Sequence, residues 1–191
     1  MFLRVIFWLI ILLPSIVTAH SPIINSKKYE MTKGDPFHIE NPEHSKAIFS
    51  ELNGSAEYYK MTSSTPFKFY VGITAPKLET CEQLNYFSFD ILDSDFQEID
   101  GRDGENFKWW PWYEKYGKTW YWVGPEIGKD FASNRTYNSG TYYIKVYNDT
   151  NMGQYALAVG DVEKFGITAI PKLLLTVRKL KKVFWNEKNC N

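Results

Sequence analysis

Phe67-Lys68-Phe69-Tyr70-Val71-Gly72-Ile73-Thr74 is the stretch on which the fold turns. Phe67, Phe69, Val71 and Ile73 recur at every second residue, the period of a strand with one buried face. Pro76 ends the run, because proline offers no amide to a ladder. Working outward, the same alternation returns at Tyr86–Leu92, where Phe87, Phe89 and Ile91 point one way and Ser88 and Asp90 the other. Shorter strand signals lie at Pro36–Ile39, Lys46–Leu52, Ala56–Met61, Thr119–Val123, Gly140–Tyr147 and Tyr155–Val159. Asn53-Gly54 predicts a tight hairpin between its flanking strands. Asn148–Gln154 predicts a second hairpin, and Asp93–Asn106 reads as an acidic loop. Short strands at this spacing, seven or eight of them, predict an all-β, jelly-roll-like β-sandwich rather than a βαβ sheet.

The two ends read differently. Arg4 precedes the apolar run Val5–Leu13, Pro14 breaks it, and Val17-Thr18-Ala19 supplies a small-residue cleavage site. Residues 1–19 are therefore expected to be a signal peptide, too short in its apolar part to span a bilayer. Residues 20–35 read as a polar lead-in and 36–165 as the sandwich. Residues 166–191 read as a basic amphipathic helix and tail, with an apolar stripe of Leu173, Val177, Leu180 and Phe184. From Pro171 onward Lys172, Arg178, Lys179, Lys181, Lys182 and Lys188 face a single acid, Glu187. The whole chain is neutral, so the body before this tail is acidic. That distribution argues against a nucleic-acid binder, which spreads basic residues over its folded face. Aromatics at 17% and charged residues at 23% allow a real core and exclude a disordered chain.

Two stretches carry a family resemblance. One is Glu51-Leu52-Asn53-Gly54-Ser55-Ala56-Glu57-Tyr58-Tyr59-Lys60-Met61. The other is Ser139-Gly140-Thr141-Tyr142-Tyr143-Ile144-Lys145-Val146-Tyr147, continued by Gly153-Gln154-Tyr155-Ala156-Leu157-Ala158-Val159. Over residues 45–160 the chain resembles the bacterial pre-peptidase C-terminal domain, a secreted jelly-roll-like sandwich. The resemblance implies an accessory module rather than a catalyst. Gly54-Ser55-Ala56-Glu57 stands where that family has an acidic turn, which leaves a metal role for the turn unsupported.

The chemistry-bearing residues are few. G-x-S-x-G and H-E-x-x-H are both missing, so the common hydrolase signatures are excluded. Cleavage after Ala19 would make His20 the N-terminus, whose amine and imidazole together suit Cu(II), with His38 or His44 as a third nitrogen. The alternative is that His20 merely starts a polar tail. Phe107–Trp122 is rich in aromatics, and Trp109, Trp110 and Trp112 flank Pro111 like loop residues. They are the candidates for stacking on glycan faces, whereas Trp120 and Trp122 read as core. Asp93-Ser94-Asp95 and Asp100–Glu105 could offer oxygens to Ca²⁺ but do not follow EF-hand spacing, and a solvated loop is the competing reading. Cys81 and Cys190 are candidates for one disulfide, or else two separate thiols. Asn53, Asn134 and Asn148 head N-x-[ST] sequons at expected surface positions, two in turns and one near a strand start.

These readings converge on a secreted, non-enzymatic binding module for glycan or cell-surface ligands. Two alternatives stay open. One is a copper-binding protein using His20. The other is a structural surface protein held at a membrane by residues 171–185, the same stripe that could instead pack on the body.

Overall fold

The computed structural model describes residues 21–25, 31–79, 85–115, 117–164 and 170–186, with side chains in the last segment described from 175 onward. The expected signal peptide, His20, Cys81, Cys190 and the Leu173 side chain lie outside the described residues. The described residues form thirteen strands and one helix. The strands are β1 (Ser21–Ile24), β2 (Phe37–Ile39), β3 (Lys46–Asn53), β4 (Glu57–Ser63), β5 (Phe67–Lys68), β6 (Val71–Pro76) and β7 (Ser88–Leu92). They continue with β8 (Glu98–Arg102), β9 (Trp110–Glu114), β10 (Thr119–Ile127), β11 (Thr136–Tyr137), β12 (Gly140–Tyr147) and β13 (Met152–Val159), followed by α1 (Ile170–Phe184).

One sheet has the order β1-β3-β13-β6-β10-β9 and the other β2-β4-β12-β7-β8, with β5 and β11 as a short ribbon. The inward residues of both meet in one core. Ile48, Leu52, Ile73, Tyr155 and Leu157 come from the six-stranded sheet, and Tyr59, Met61, Phe89, Ile91, Ile144 and Val146 from the five-stranded one. The all-β sandwich is thus present, and the period-two residues Phe67, Phe69, Val71 and Ile73 are all buried.

Strand pairing departs from the expected hairpins. β3 pairs with β1 and β13, while β4 pairs with β2 and β12, so Asn53-Gly54 carries the chain from one sheet to the other. Residues 148–151 do the same between β12 and β13. Both turns are arches, and they lie side by side, the Gly54 amide donating to the Asn151 carbonyl at 2.8 Å. Gly54 sits at φ 91°, where a side chain would be strained. An arch and a hairpin need the same turn residues and leave the same alternation on each strand, so local sequence does not separate them.

Asn148 is buried rather than on the surface. Its Nδ2 donates to the Met152 carbonyl at 2.8 Å, and its Oδ1 accepts from the Met152 amide and the Thr150 hydroxyl, each at 3.2 Å. A glycan on this amide would break the arch, whereas Asn53 and Asn134 are exposed. Asn148→Ala is expected to cost about 1–2 kcal/mol by freeing these backbone groups. Urea unfolding with an unchanged midpoint would contradict the capping role.

Three further segments differ from expectation. The lead-in contributes β1, which adds in parallel to β3 with Ser21 opposite Lys46. The acidic loop contains β8, an edge strand on β7. The Trp-rich stretch forms the hairpin β9–β10 at the edge of the six-stranded sheet. Pro111 is tolerated there because an edge strand has one side free of ladder bonds.

The helix packs on the body. Leu180 and Phe184 are buried on the outer face of the six-stranded sheet against Phe49, Tyr121 and Ala156. Small residues at Ala47 and Ala156 let the helix approach, and the Phe184 ring meets Phe49 edge-on at 5.0 Å. No described helix is long and apolar enough to cross a membrane.

Candidate functional site

The outer face of the five-stranded sheet should be plainly polar, since water covers it. Instead its outward positions alternate Tyr and Lys: Tyr58 and Lys60 on β4, Tyr143, Lys145 and Tyr147 on β12. Register places Tyr58 opposite Lys145 and Lys60 opposite Tyr143, with Asp90 of β7 on the other side of Lys145. Lys145 Nζ pairs with Asp90 Oδ2 at 3.2 Å, and the Tyr147 hydroxyl donates to Asp90 Oδ1 at 3.0 Å. Burial and the Asp90 charge push the Tyr147 phenol up to about 12, so it remains a donor at neutral pH. Asp90 is therefore held in place from two sides.

Phe96 completes the site. It sits in the β7–β8 turn at φ 60°, a conformation that a bulky side chain rarely adopts. The turn is fastened by Asp93 Oδ1, which accepts from the amides of Asp95 and Gln97, both at 2.9 Å. The Phe96 ring stacks on Tyr143 with centroids 4.2 Å apart, and the Lys33 ammonium lies 4.1 Å above Phe96. Strain of this kind costs about 1 kcal/mol or more and persists where surrounding contacts fix it. Between these groups lies a depression of about 240 Å³, lined by Lys33, Tyr58, Asp90, Phe96, Glu98 and Lys145. It offers aromatic surface, a phenol hydroxyl and charges of both signs.

The residues singled out in the sequence lie elsewhere. Trp109 is turned into the core at 9% exposure, its Nε1 donating to the Gly104 carbonyl at 2.8 Å. Trp112 is half-buried between Tyr121 and Phe131. Trp110 is exposed, on the side of the sheet that carries α1. Trp120 is not core: it is 44% exposed and meets Tyr113 at 5.2 Å, forming a small aromatic ledge. Trp122 packs inward.

His38 is exposed on β2, and His44 precedes β3 on the other sheet. Burial, then the charges of Lys164 and Lys46, lower the His44 pKa. The acidic carboxylates are largely committed. Asp93 caps its turn. Asp100 is paired with Arg102 and Arg135; burial opposes its ionisation, but these partners and the Gly101 amide outweigh it and hold its pKa low. Asp103 accepts from Asn106 and the Glu105 amide, and Asp149 raises the Glu105 pKa. Among the described residues no group of three or more His, Cys, Asp or Glu side chains is arranged to hold a metal ion.

No family model and no curated protein matches the chain. Among solved structures, one similar to it is the pre-peptidase C-terminal domain of collagenase from Bacillus anthracis. That match covers 65% of this chain and 93% of that one, at 13% identity and a TM-score of 0.39. The catalytic domain of a GH87 alpha-1,3-glucanase in complex with nigerose is similar over 61% of this chain and 22% of that one, at 15% identity and a TM-score of 0.29. The resemblance read from Gly140–Tyr147 and Gly153–Val159 has its counterpart in the first of these. At such identity and TM-score, neither match assigns this chain a fold or an activity.

Proposed function

We propose that this chain is an exported, non-catalytic recognition module and that the depression on the five-stranded sheet seats a glycan. The observation that carries the reading is Phe96, held at positive φ so that its ring lies on Tyr143 at the lip of a concave, polar surface. Sugars present apolar C–H faces and hydroxyl edges, and they need rings beside donors and acceptors of fixed direction. Tyr58 and the Asp90–Lys145–Tyr147 set supply the second part.

A glycan array followed by calorimetry on the hits tests this. Phe96→Gly removes the ring and also relieves the backbone strain, so it separates recognition from folding. It is expected to weaken binding at least tenfold, as loss of an anchoring aromatic does. Tyr58→Phe, which removes one hydroxyl, should weaken it less. Unchanged binding in Phe96→Gly, together with loss in Trp120→Ala, would move the site to the Tyr113–Trp120 ledge and end this reading.

A further inference from the structure

Helix α1 satisfies its apolar stripe internally and still presents a second, unusual face. Leu180 and Phe184 point into the body, and Val177 is half-buried beside them. The opposite side carries Leu175 at 65% exposure together with Arg178, Lys179 and Lys182, flanked by Lys181 and by Val183 at 49%. α1 contains no acidic residue. Among the described residues, none of Arg178, Lys179, Lys181 and Lys182 takes part in an ion pair, although the body is acidic overall. The helix is thus fixed in orientation by its buried side, with Arg178, Lys179 and Lys182 on the opposite, exposed one.

Two tryptophans lie on the same side of the six-stranded sheet as the helix. Trp185, half-exposed, follows the last turn and donates its Nε1 to the Trp120 carbonyl at 2.9 Å, tying the helix end to the β9–β10 hairpin. Trp110, 41% exposed, is on this side too: it pairs with Val123, which is opposite Thr74, which is opposite Ala156 beneath α1.

We propose that this face docks flat on a bilayer carrying anionic headgroups. Cations alone would suit any polyanion. Two exposed aliphatic side chains interleaved with them, and tryptophans on the same side of the sheet, suit the boundary between headgroups and acyl chains. The docked face is the outer side of one sheet and the depression is on the outer side of the other, so a seated molecule presents the depression away from the membrane. This proposal does not depend on what the depression binds.

The test is co-sedimentation of the processed chain, with its N-terminus sequenced to confirm that Val5–Leu13 is absent. The vesicles are pure phosphatidylcholine or phosphatidylcholine mixed with phosphatidylglycerol. Binding is expected to the mixed vesicles alone and to fall as salt shortens the screening length. The double variant K179Q/K182Q should lower the partition coefficient on the order of 25-fold, about fivefold per cation. The double variant L175S/V183S should also weaken vesicle binding while leaving binding to soluble polyglutamate unchanged. All four positions are exposed, and thermal unfolding of each variant verifies an intact fold. Absence of binding at low salt, equal binding to neutral vesicles, or an L175S/V183S variant that binds vesicles like the parent would overturn the proposal. The last result would leave a soluble or protein-borne polyanion as the partner.

Discussion

Replacing Glu57 with leucine is expected to destabilise the protein by roughly 2–4 kcal/mol, because it strands hydroxyls in the core. Glu57 opens β4 at 7% exposure. Its Oε2 accepts from the Ser50 hydroxyl at 2.6 Å, from the Tyr155 hydroxyl, and from the Tyr59 hydroxyl at 3.5 Å. The two phenols also meet at 2.6 Å, and Asn25 Nδ2 donates to Ser50 Oγ at 3.0 Å. Ser50 and Tyr155 belong to one sheet and Glu57 and Tyr59 to the other, so the network stitches the sandwich together. Such a network is stable when every member is satisfied and costly when one is removed.

The same carboxyl makes stability depend on pH. Burial raises its pKa more than the hydrogen bonds from Ser50, Tyr155 and Tyr59 lower it, and Glu51 adds a smaller push upward. A carboxyl whose folded pKa is raised binds more protons folded than unfolded in the window between the two values. Stability from this group is therefore full below the unfolded pKa, near 4.3, and declines as pH rises through the folded value. Glu57→Gln keeps an acceptor and cannot ionise. The gap between it and the parent should widen in its favour from acid to neutral pH. Asp100, with its lowered pKa, acts with the opposite sign in more acid solution, and the comparison cancels it because both chains carry it. Denaturation curves that keep a constant gap from pH 4 to 7 would refute a desolvated Glu57.

The faces of the strands were legible because burial on one side enforces period two, and Phe67–Ile73 and Phe87–Ile91 obey it. The partners of the strands were not. Asn53-Gly54 permits a reversal of either geometry, and what selects the arch is the pairing of β3 with β13 and β4 with β12, between residues roughly a hundred positions apart. β9 was hidden by Pro111, which local propensity reads as a break. The helix was legible from its stripe, but the face left for solvent could be judged only once Phe49 and Tyr121 were seen beneath it.

The depression was missed for a related reason. Its Tyr and Lys residues occupy the outward positions of strands read chiefly for what they bury. A signal was present: Tyr58/Lys60 and Tyr143/Lys145/Tyr147 place aromatics on a face that hydration alone would leave to small polar residues. Asp93-Ser94-Asp95-Phe96-Gln97 was read as acidity, whereas Asp93 works as a turn cap that delivers Phe96. By contrast, tryptophan abundance at 109–122 drew attention to residues whose roles are divided among core, edge and surface.

Trp109 is where that division has the largest consequence. Its indole lies over Gly124 of β10, where a Cβ would stand 2.4 Å from a ring carbon, and its N–H is spent on Gly104. Trp109→Ala should cost about 3–5 kcal/mol through lost burial and the cavity left behind. Gly124→Ala should cost about 1–3 kcal/mol, because the added methyl collides with the ring in a packed interior. The two effects share one volume, so they should not add. In a chain already carrying Trp109→Ala, the Gly124 substitution meets no ring and becomes nearly neutral, giving a coupling of 1 kcal/mol or more in a double-mutant cycle. Guanidinium unfolding of the four chains measures it. If Gly124→Ala is as costly without the indole as with it, Trp109 does not occupy that space, and the tryptophan returns to the candidates for a ligand surface.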